Sequence, residues 1–235
     1  MSNIKQLEGK FIKALDINQR KKLKIAILGA SGIGKFHART FDKLNVEVNS
    51  ILCSSKVTGK STSQDLQDSL GLKVNYYDDL NMLLNKSMPD AVTICTPNEL
   101  HFEQILKVLN KNIPIFCEKP LFWNRKDSYK AFSNKLKVIS DHPNRAIFVN
   151  TSGAGYVKSI KKFLPLPKDI NSFEFTFTTQ GNNKYTEIAE DLLPHGLAML
   201  IELLGLHDIT SFKQEYSETT YKCNFHYSGC KVSFK

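Results

Sequence analysis

The chain has 235 residues, of which 41% are hydrophobic and 23% charged. That balance suits a soluble globular protein with a real core, in one large domain or two modest ones. Its net charge of +9 comes from 32 Lys and Arg against 23 Asp and Glu. The lysines are dispersed, however, and only Arg20-Lys21-Lys22 with Lys24 forms a dense run, so no nucleic-acid partner is expected. No stretch approaches the ~20 apolar residues of a membrane span, and the N-terminus lacks the apolar centre of a signal peptide. A cytoplasmic protein with no membrane partner is therefore expected. Five cysteines without a C-x-x-C pair fit reduced, buried thiols and no metal site.

In chain order, residues 4–15 read as a short amphipathic helix, an appendage within 1–20. From 21 to 150 strand-like apolar runs (23–28, 48–53, 73–76, 91–95, 113–117, 146–150) alternate with helical segments (33–44, 62–70, 78–85, 99–110, 124–140). In the fourth of these helices Phe102, Ile105, Leu106 and Leu109 line one face. Such alternation predicts right-handed parallel crossovers, hence an α/β fold with a doubly wound parallel Rossmann sheet in the order 3-2-1-4-5-6. From 151 to 235 the pattern changes to a smaller, apparently shortened α+β domain with an antiparallel sheet. A helix at 156–163 is stopped by Leu164-Pro165-Leu166-Pro167. Strands at 172–179, 210–212, 219–227 and 230–234 surround a helix at 188–204, and Ser228-Gly229 makes a hairpin turn.

The first strand runs into Gly29-Ala30-Ser31-Gly32-Ile33-Gly34 and then a helix. A dinucleotide loop needs this context, because glycines allow the tight turn and helix N–H groups meet the pyrophosphate. Ser31 stands where the second glycine of the usual pattern would be. Gly29, Ser31, Gly32, Ile33 and Gly34 are accordingly candidate cofactor-binding residues. At the end of the second strand an acid would bind the ribose hydroxyls of NAD. Ser54-Ser55-Lys56 stands there instead, and hydroxyls plus an ammonium suit a 2′-phosphate, so NADP(H) is favoured over NAD(H). The fourth strand ends in Thr96-Pro97-Asn98 with His101 in the next turn, and the fifth ends in Cys117-Glu118-Lys119-Pro120-Leu121. There an X-Pro bond turns the chain sharply at the carboxyl edge, where doubly wound sheets bind ligands.

With GASGIGKFHAR, TICTPNELH and CEKPL in this order and spacing, the segment from Lys24 to Leu121 resembles the Gfo/Idh/MocA family of NAD(P)-dependent oxidoreductases. The resemblance implies that Thr96, Pro97, Asn98, His101, Glu118 and Lys119 also border the cofactor. It further implies an Asp-x-x-x-His pair on a helix of the second domain, matched here by Asp191-Leu192-Leu193-Pro194-His195. Residues i and i+4 share a helix face, and Pro194 is tolerable if that helix starts around Asp191. The implied roles are catalytic. Lys119 would hydrogen-bond the reacting oxygen, His195 would exchange the hydroxyl proton, and Asp191 would orient the substrate. Histidine as a residue type titrates near ~6.5, which suits proton transfer in both directions.

Two departures from the family bear on function. Members usually have a longer second domain, whereas this sequence stops at Ser233-Phe234-Lys235 in mid-strand. The domain would then be reduced, completed by a second copy as a homo-oligomer through the C-terminal sheet, or part of a longer product. VNTSGAGYVKSI also replaces an Arg-containing stretch, so substrate contacts are not carried over. The first reading is an oxidoreductase acting on a small molecule: a sugar, sugar derivative or related polyol or carbonyl compound. The alternative is a catalytically silent cofactor-binding sensor of the same fold.

Overall fold

The computed structural model describes residues 22–167 and 169–235; the helix expected at 4–15 lies outside them. The chain divides into two compact units, the first ending at Val149 and the second being Asn150–Lys235.

In the first unit the apolar runs form β1 (Lys24–Leu28), β2 (Glu47–Leu52), β3 (Asn75–Tyr77), β4 (Ala91–Ile94), β5 (Ile115–Cys117) and β6 (Ile147–Val149). All neighbouring pairs are parallel, in the order β3-β2-β1-β4-β5-β6. This is the doubly wound arrangement expected from the sequence. The crossovers carry α1 (Ile33–Lys43), α2 (Lys56–Leu70), α3 (Leu80–Ser87), α4 (Asn98–Leu109) and α5 (Tyr129–Ser140). Successive residues of β1 serve opposite faces. Ala26 and Leu28 pack with Val92, Ile94, Ile105 and Leu109, while Ile25 and Ile27 pack with Ile51 and Leu66. Burial on both faces is why these strands read as continuous apolar runs. Strand order reverses between β1 and β4, so their carboxyl ends flank the crevice where such sheets take ligands.

In this unit two helix starts differ from the periodicity by more than two residues, and side-chain caps explain both. The second helix begins at Lys56 rather than 62, because Ser55 and Thr58 form a reciprocal capping box. Lys56 therefore stands on the first helical turn instead of in a loop. The fifth begins at Tyr129 rather than 124. Asn124 instead closes a local turn, accepting from the Lys126 and Asp127 N–H groups, and Ser128 caps the helix at Ala131.

The second unit comprises α6 (Ser152–Ile160), β7 (Ser172–Phe175), α7 (Thr186–Leu204), β8 (Ile209–Tyr216), β9 (Tyr221–Tyr227) and β10 (Cys230–Phe234). The sheet order is β7-β10-β9-β8. β8, β9 and β10 are antiparallel neighbours as expected, but β7 runs parallel to β10, making a mixed sheet. Ser228 and Gly229 both take positive φ (51° and 80°), the geometry that a tight two-residue hairpin of this hand requires. β8 is longer than the expected 210–212. Its register breaks between Thr210 and Lys213, around Ser211 at φ 56°, and the interruption hid the full strand.

The alternation in β9 turns Tyr221, Cys223, Phe225 and Tyr227 inward. These residues join Val232, Phe234 and the half-buried Phe173 and Phe175 beneath Leu193, Leu197 and Leu200 of α7. The sheet's apolar face is thus covered by its own helix. Because Ile188 and Ala189 also pack into this cluster, α7 extends back to Thr186, and Pro194 falls in the helix interior rather than in its first turn. The helix thus matches the expected 188–204 closely, but the start around Asp191 that would have placed Pro194 in the first turn does not occur. Pro194 has no N–H to offer the carbonyl one turn earlier, a defect tolerated because packing holds both halves of the helix.

Leu200 is fully buried and Leu206 is 83% exposed. Leu200→Ala is expected to lower unfolding free energy in urea by about 2–5 kcal/mol, while Leu206→Ala stays within about 0.5 kcal/mol of the parent.

Candidate functional site

At the carboxyl end of β1 the backbone makes a turn that only glycine fits. Gly29 has φ +81°, and a Cβ there would lie 2.9 Å from the Cys95 carbonyl oxygen at the end of β4. Gly34, in the first turn of α1, packs so closely that a Cβ would collide with the Gly29 carbonyl. Gly32 is the N-cap of α1 and bears no side-chain cap, no acid stands in the first turn, and a Cβ on Gly32 would meet nothing within 4 Å. The exposed Ser31 gives its carbonyl to the Gly34 N–H at 3.0 Å. An uncapped, unobstructed helix start is a cradle for a pyrophosphate, and these residues fit a dinucleotide. Ile33 opens the helix with its side chain 46% exposed.

At the end of β2 the Ser55 hydroxyl is held by the capping box, and Ser54 Oγ lies 3.3 Å from Thr58 Oγ1. Lys56 is exposed on the first turn of α2. Of the three residues expected to meet an adenosine phosphate, only Lys56 presents a side chain not tied to this cap.

The ends of β4 and β5 are tied together by His101. This residue is fully buried. Its Nε2 lies 2.7 Å from the Thr96 carbonyl oxygen, and its Nδ1 lies 3.2 and 3.1 Å from those of Pro120 and Leu121. His101, expected to border the cofactor, is packed between these backbone segments. Both ring nitrogens face backbone carbonyls, so the residue bridges the segment at Thr96 and the segment at Pro120-Leu121. Thr96 Oγ1 donates to Gln104 Oε1 at 2.6 Å, Pro97 caps α4, and Asn98 accepts from the Trp123 N–H at 3.4 Å.

The Glu118 N–H is bonded to the Ile94 carbonyl at 2.9 Å, which fixes the turn against β4, and the Lys119-Pro120 peptide is cis. Lys119 is half-buried. Glu118 is buried, with Oε1 at 2.6 Å from His37 Nε2 and Oε2 at 3.3 Å from the Lys119 N–H. His37, one helical turn beyond Gly34, is the residue that sequence reasoning passed over. Its only signal was its inward spacing with Gly34 and Ala38 on α1. The neighbouring thiols are chemically quiet: burial, reinforced by the Glu118 charge, pushes Cys117 up to about 12 and raises Cys95 further. All five cysteines are free, and no metal-holding cluster occurs among the described residues.

In the second unit Asp191 and His195 lie one turn apart on α7, as their spacing implied. Asn183 Nδ2 donates to Asp191 Oδ2 at 3.1 Å. Ser152 Oγ lies 3.3 Å from His195 Nδ1, and the ring stacks on Phe177 at 5.5 Å and 16°. α6 and α7 approach so closely that a Cβ on Gly153 would strike the His195 carbonyl. Asp191 borders a cavity of about 650 Å³ walled by Thr176, Thr179, Asn183, Lys184 and Tyr221, among others. Ser152, Phe177 and Asn183 were not legible as site residues, since each meets its partner only through tertiary packing.

Residues 23–138 match the Gfo/Idh/MocA family model, described as an oxidoreductase family with an NAD-binding Rossmann fold. D-glucoside 3-dehydrogenase of Escherichia coli K12 is 32% identical over 99 residues, covering 42% of this chain and 27% of that protein. Inositol 2-dehydrogenase of Paracoccus denitrificans is 27% identical over 104 residues, covering 42% and 29%. The matched segments thus span under a third of these relatives' length. Myo-inositol dehydrogenase of Lactobacillus casei, solved with NAD(H) and myo-inositol, superposes with a TM-score of 0.72 at 17% identity over 91% of this chain and 67% of that one. That likeness is one of fold. No helix among the described residues is long and apolar enough to cross a membrane.

The raised Cys117 thiol gives a pH test. The unfolded thiol ionises near 9.0 and the folded one near 12, so above pH 9 the unfolded state binds fewer protons and stability falls as pH rises. Between pH 9 and 11 wild type is expected to lose up to ~1.4 kcal/mol per pH unit through this thiol. Cys117→Ala, measured by urea unfolding across the same range, should show a correspondingly shallower slope.

Proposed function

We propose that this chain, which belongs through residues 23–138 to the Gfo/Idh/MocA oxidoreductase family, is an NAD(P)-dependent dehydrogenase acting on a sugar, sugar derivative or related polyol or carbonyl compound. One observation carries the reading. In the first unit an open glycine-lined helix start at the end of β1 accompanies a Glu118-Lys119 turn at the end of β5, with only β4 between the two strands. The names of the relatives, which act on glucosides and inositols, support a polyhydroxylated substrate.

Bound nicotinamide would supply the hydride acceptor for an alcohol, or the donor for a carbonyl. Gly29, Gly32, Gly34 and the α1 N–H groups would hold the pyrophosphate, and Thr96, Pro97 and Asn98 would border the cofactor further along the edge. Lys119 hydrogen-bonds the reacting oxygen and offsets its developing negative charge. His195 takes the hydroxyl proton during oxidation and returns it during reduction. Asp191 binds substrate hydroxyls. Ser152 and Phe177 hold the His195 ring in one orientation.

Lys56 and the absence of a carboxylate in Ser54-Ser55-Lys56 support NADP(H) over NAD(H), with Lys56 at the positive end of α2 as the phosphate ligand. β8 is exposed along its whole length and carries Phe212 and Tyr216, which supports association of copies through the C-terminal sheet. Five free cysteines support a reducing, cytoplasmic setting.

Fluorescence titration with NADPH and NADH tests the cofactor. Lys56→Ala is expected to weaken NADPH about tenfold or more, the worth of one hydrogen bond to a charged group, and to leave NADH unchanged. Turnover on a sugar and polyol panel, followed at the nicotinamide absorbance band, tests the reaction. Lys119→Ala and His195→Ala should each cut kcat by about 10²–10⁴-fold while cofactor affinity moves little. Unchanged turnover in either variant removes that residue's assigned role.

A further inference from the structure

His37 stands outside every role assigned above, yet it is among the most constrained polar groups of the first unit. It is 7% exposed and faces Glu118, which is 9% exposed, at 2.6 Å across 81 residues of sequence. The ring is packed edge-on against Phe116 (5.3 Å, 72°) and stacked with Phe41 (6.2 Å, 30°), so its Nε2 has little angular freedom. Phe116 is itself stacked on Phe148 at 5.4 Å. A buried imidazole–carboxylate contact is costly unless both partners are satisfied, and here the second carboxylate oxygen reaches the Lys119 N–H at 3.3 Å. The result is a continuous path of three residues: α1, whose first turn is the glycine cradle, holds Glu118 through His37, and Glu118 holds the backbone of Lys119.

We propose that His37 is a positioning residue for Lys119, fixing the lysine's backbone to the same helix whose N-terminus receives the cofactor pyrophosphate. The inference rests on the reading of Lys119 as the group that binds the reacting oxygen. One rigid element thereby sets both the cofactor's phosphate end and the lysine. Hydride transfer tolerates little relative movement between such groups: a misplacement of ~1 Å costs about 10²-fold in rate. His101 clamps the same turn from its other side, at Pro120 and Leu121. The two histidines therefore hold Lys119 from flanking positions and from two different helices.

The test compares His37→Leu, which keeps bulk and removes both nitrogens, with His37→Gln, which returns an N–H donor. Two readouts are taken on the full chain. The first is amide hydrogen exchange at 118–121, with β4 amides as internal reference. Exchange at Lys119 is expected to rise about tenfold or more in His37→Leu, to recover in His37→Gln, and to stay constant in β4. The second is kinetic. His37→Leu should lower kcat by about 10²-fold with cofactor affinity within about threefold, and should add almost nothing in a Lys119→Ala background, because residues acting as a unit are non-additive.

Full additivity with Lys119→Ala, an equal loss of cofactor affinity, or unchanged exchange at Lys119 would each overturn the proposal, since a merely structural histidine gives those results. If the wild-type chain turns over no substrate of the panel, it is the dehydrogenase reading that fails. The exchange measurement still decides whether His37 holds Lys119. Should His37→Leu not fold, His37→Gln and Glu118→Gln carry the same comparisons.

Discussion

No Cβ fits between the first turn of α1 and the carboxyl ends of β1 and β4, and the first unit is built around that close approach. Gly29 lets the chain leave β1 in a left-handed turn against the Cys95 and Thr96 backbone, and Gly34 lets α1 sit down on the Gly29 carbonyl. If either approach were relaxed, α1 would tilt or lift. The displacement would carry both the open N–H groups of Gly32 and Ile33 and the inward face of Gly34, His37 and Ala38. The cradle and the His37–Glu118 contact therefore share one steric origin. Local backbone permissiveness at two glycines becomes the placement of a lysine 85 positions after Gly34, through packing that interiors of native density transmit with little loss.

The parts of the fold legible in the sequence are those where one physical signal dominates. β1, β2 and β4 are buried on both faces, so they appear as apolar runs whatever their neighbours do. The alternation of runs with amphipathic helices left few topologies other than the doubly wound order. The hairpin at Ser228-Gly229 was legible for the same reason, since few residues accept two successive positive φ values. Features set by competition between signals were less visible. The low apolar content of Lys56–Ser61 hid the first turns of α2, whose start is decided by the Ser55–Thr58 box. Pro194 would be easiest to accommodate in a helix starting around Asp191, but Ile188 and Ala189 packing under the sheet outweighed one lost hydrogen bond. The parallel pairing of β7 with β10 depends on a long connection through α7 that leaves no periodic trace.

The candidate site divides along the same line. Motif residues whose task is set by their own backbone, such as Gly29, Gly32 and Gly34, or Lys119 beside Pro120, could be located by reading along the chain. Residues whose task is set by a distant partner could not. The motif at the end of β4 points to His101, but its burial among three backbone carbonyls is visible only in the fold. His37 looks like a helix-interior histidine of no consequence until Glu118 is placed 2.6 Å away. A histidine is well suited to such a clamp. Its rigid ring can span two backbone segments without the entropy loss of a long side chain, its N–H donating to a carbonyl of one of them.

The first unit holds Lys119, and the second holds Asp191 and His195, in different ways, and the difference follows from the secondary structure of each. In the first unit Lys119 sits on a turn between a strand and a loop, just past the last bond to β4, from the Glu118 N–H to the Ile94 carbonyl. Rigidity must be imported there by long-range contacts from α1 and α4. In the second unit Asp191 and His195 sit on a helix whose backbone is already fixed, so only side-chain rotation remains to be restrained. A hydroxyl and an aromatic face are among the contacts that restrain His195, and an amide among those that restrain Asp191. Changes at the Lys119 clamps should therefore shift backbone and side chain together, whereas loss of Ser152 or Phe177 frees one ring without moving α7. Within the first unit the sheet-edge turn is therefore sensitive to substitution at its clamps, because beyond Glu118 it has no hydrogen-bond ladder to fall back on.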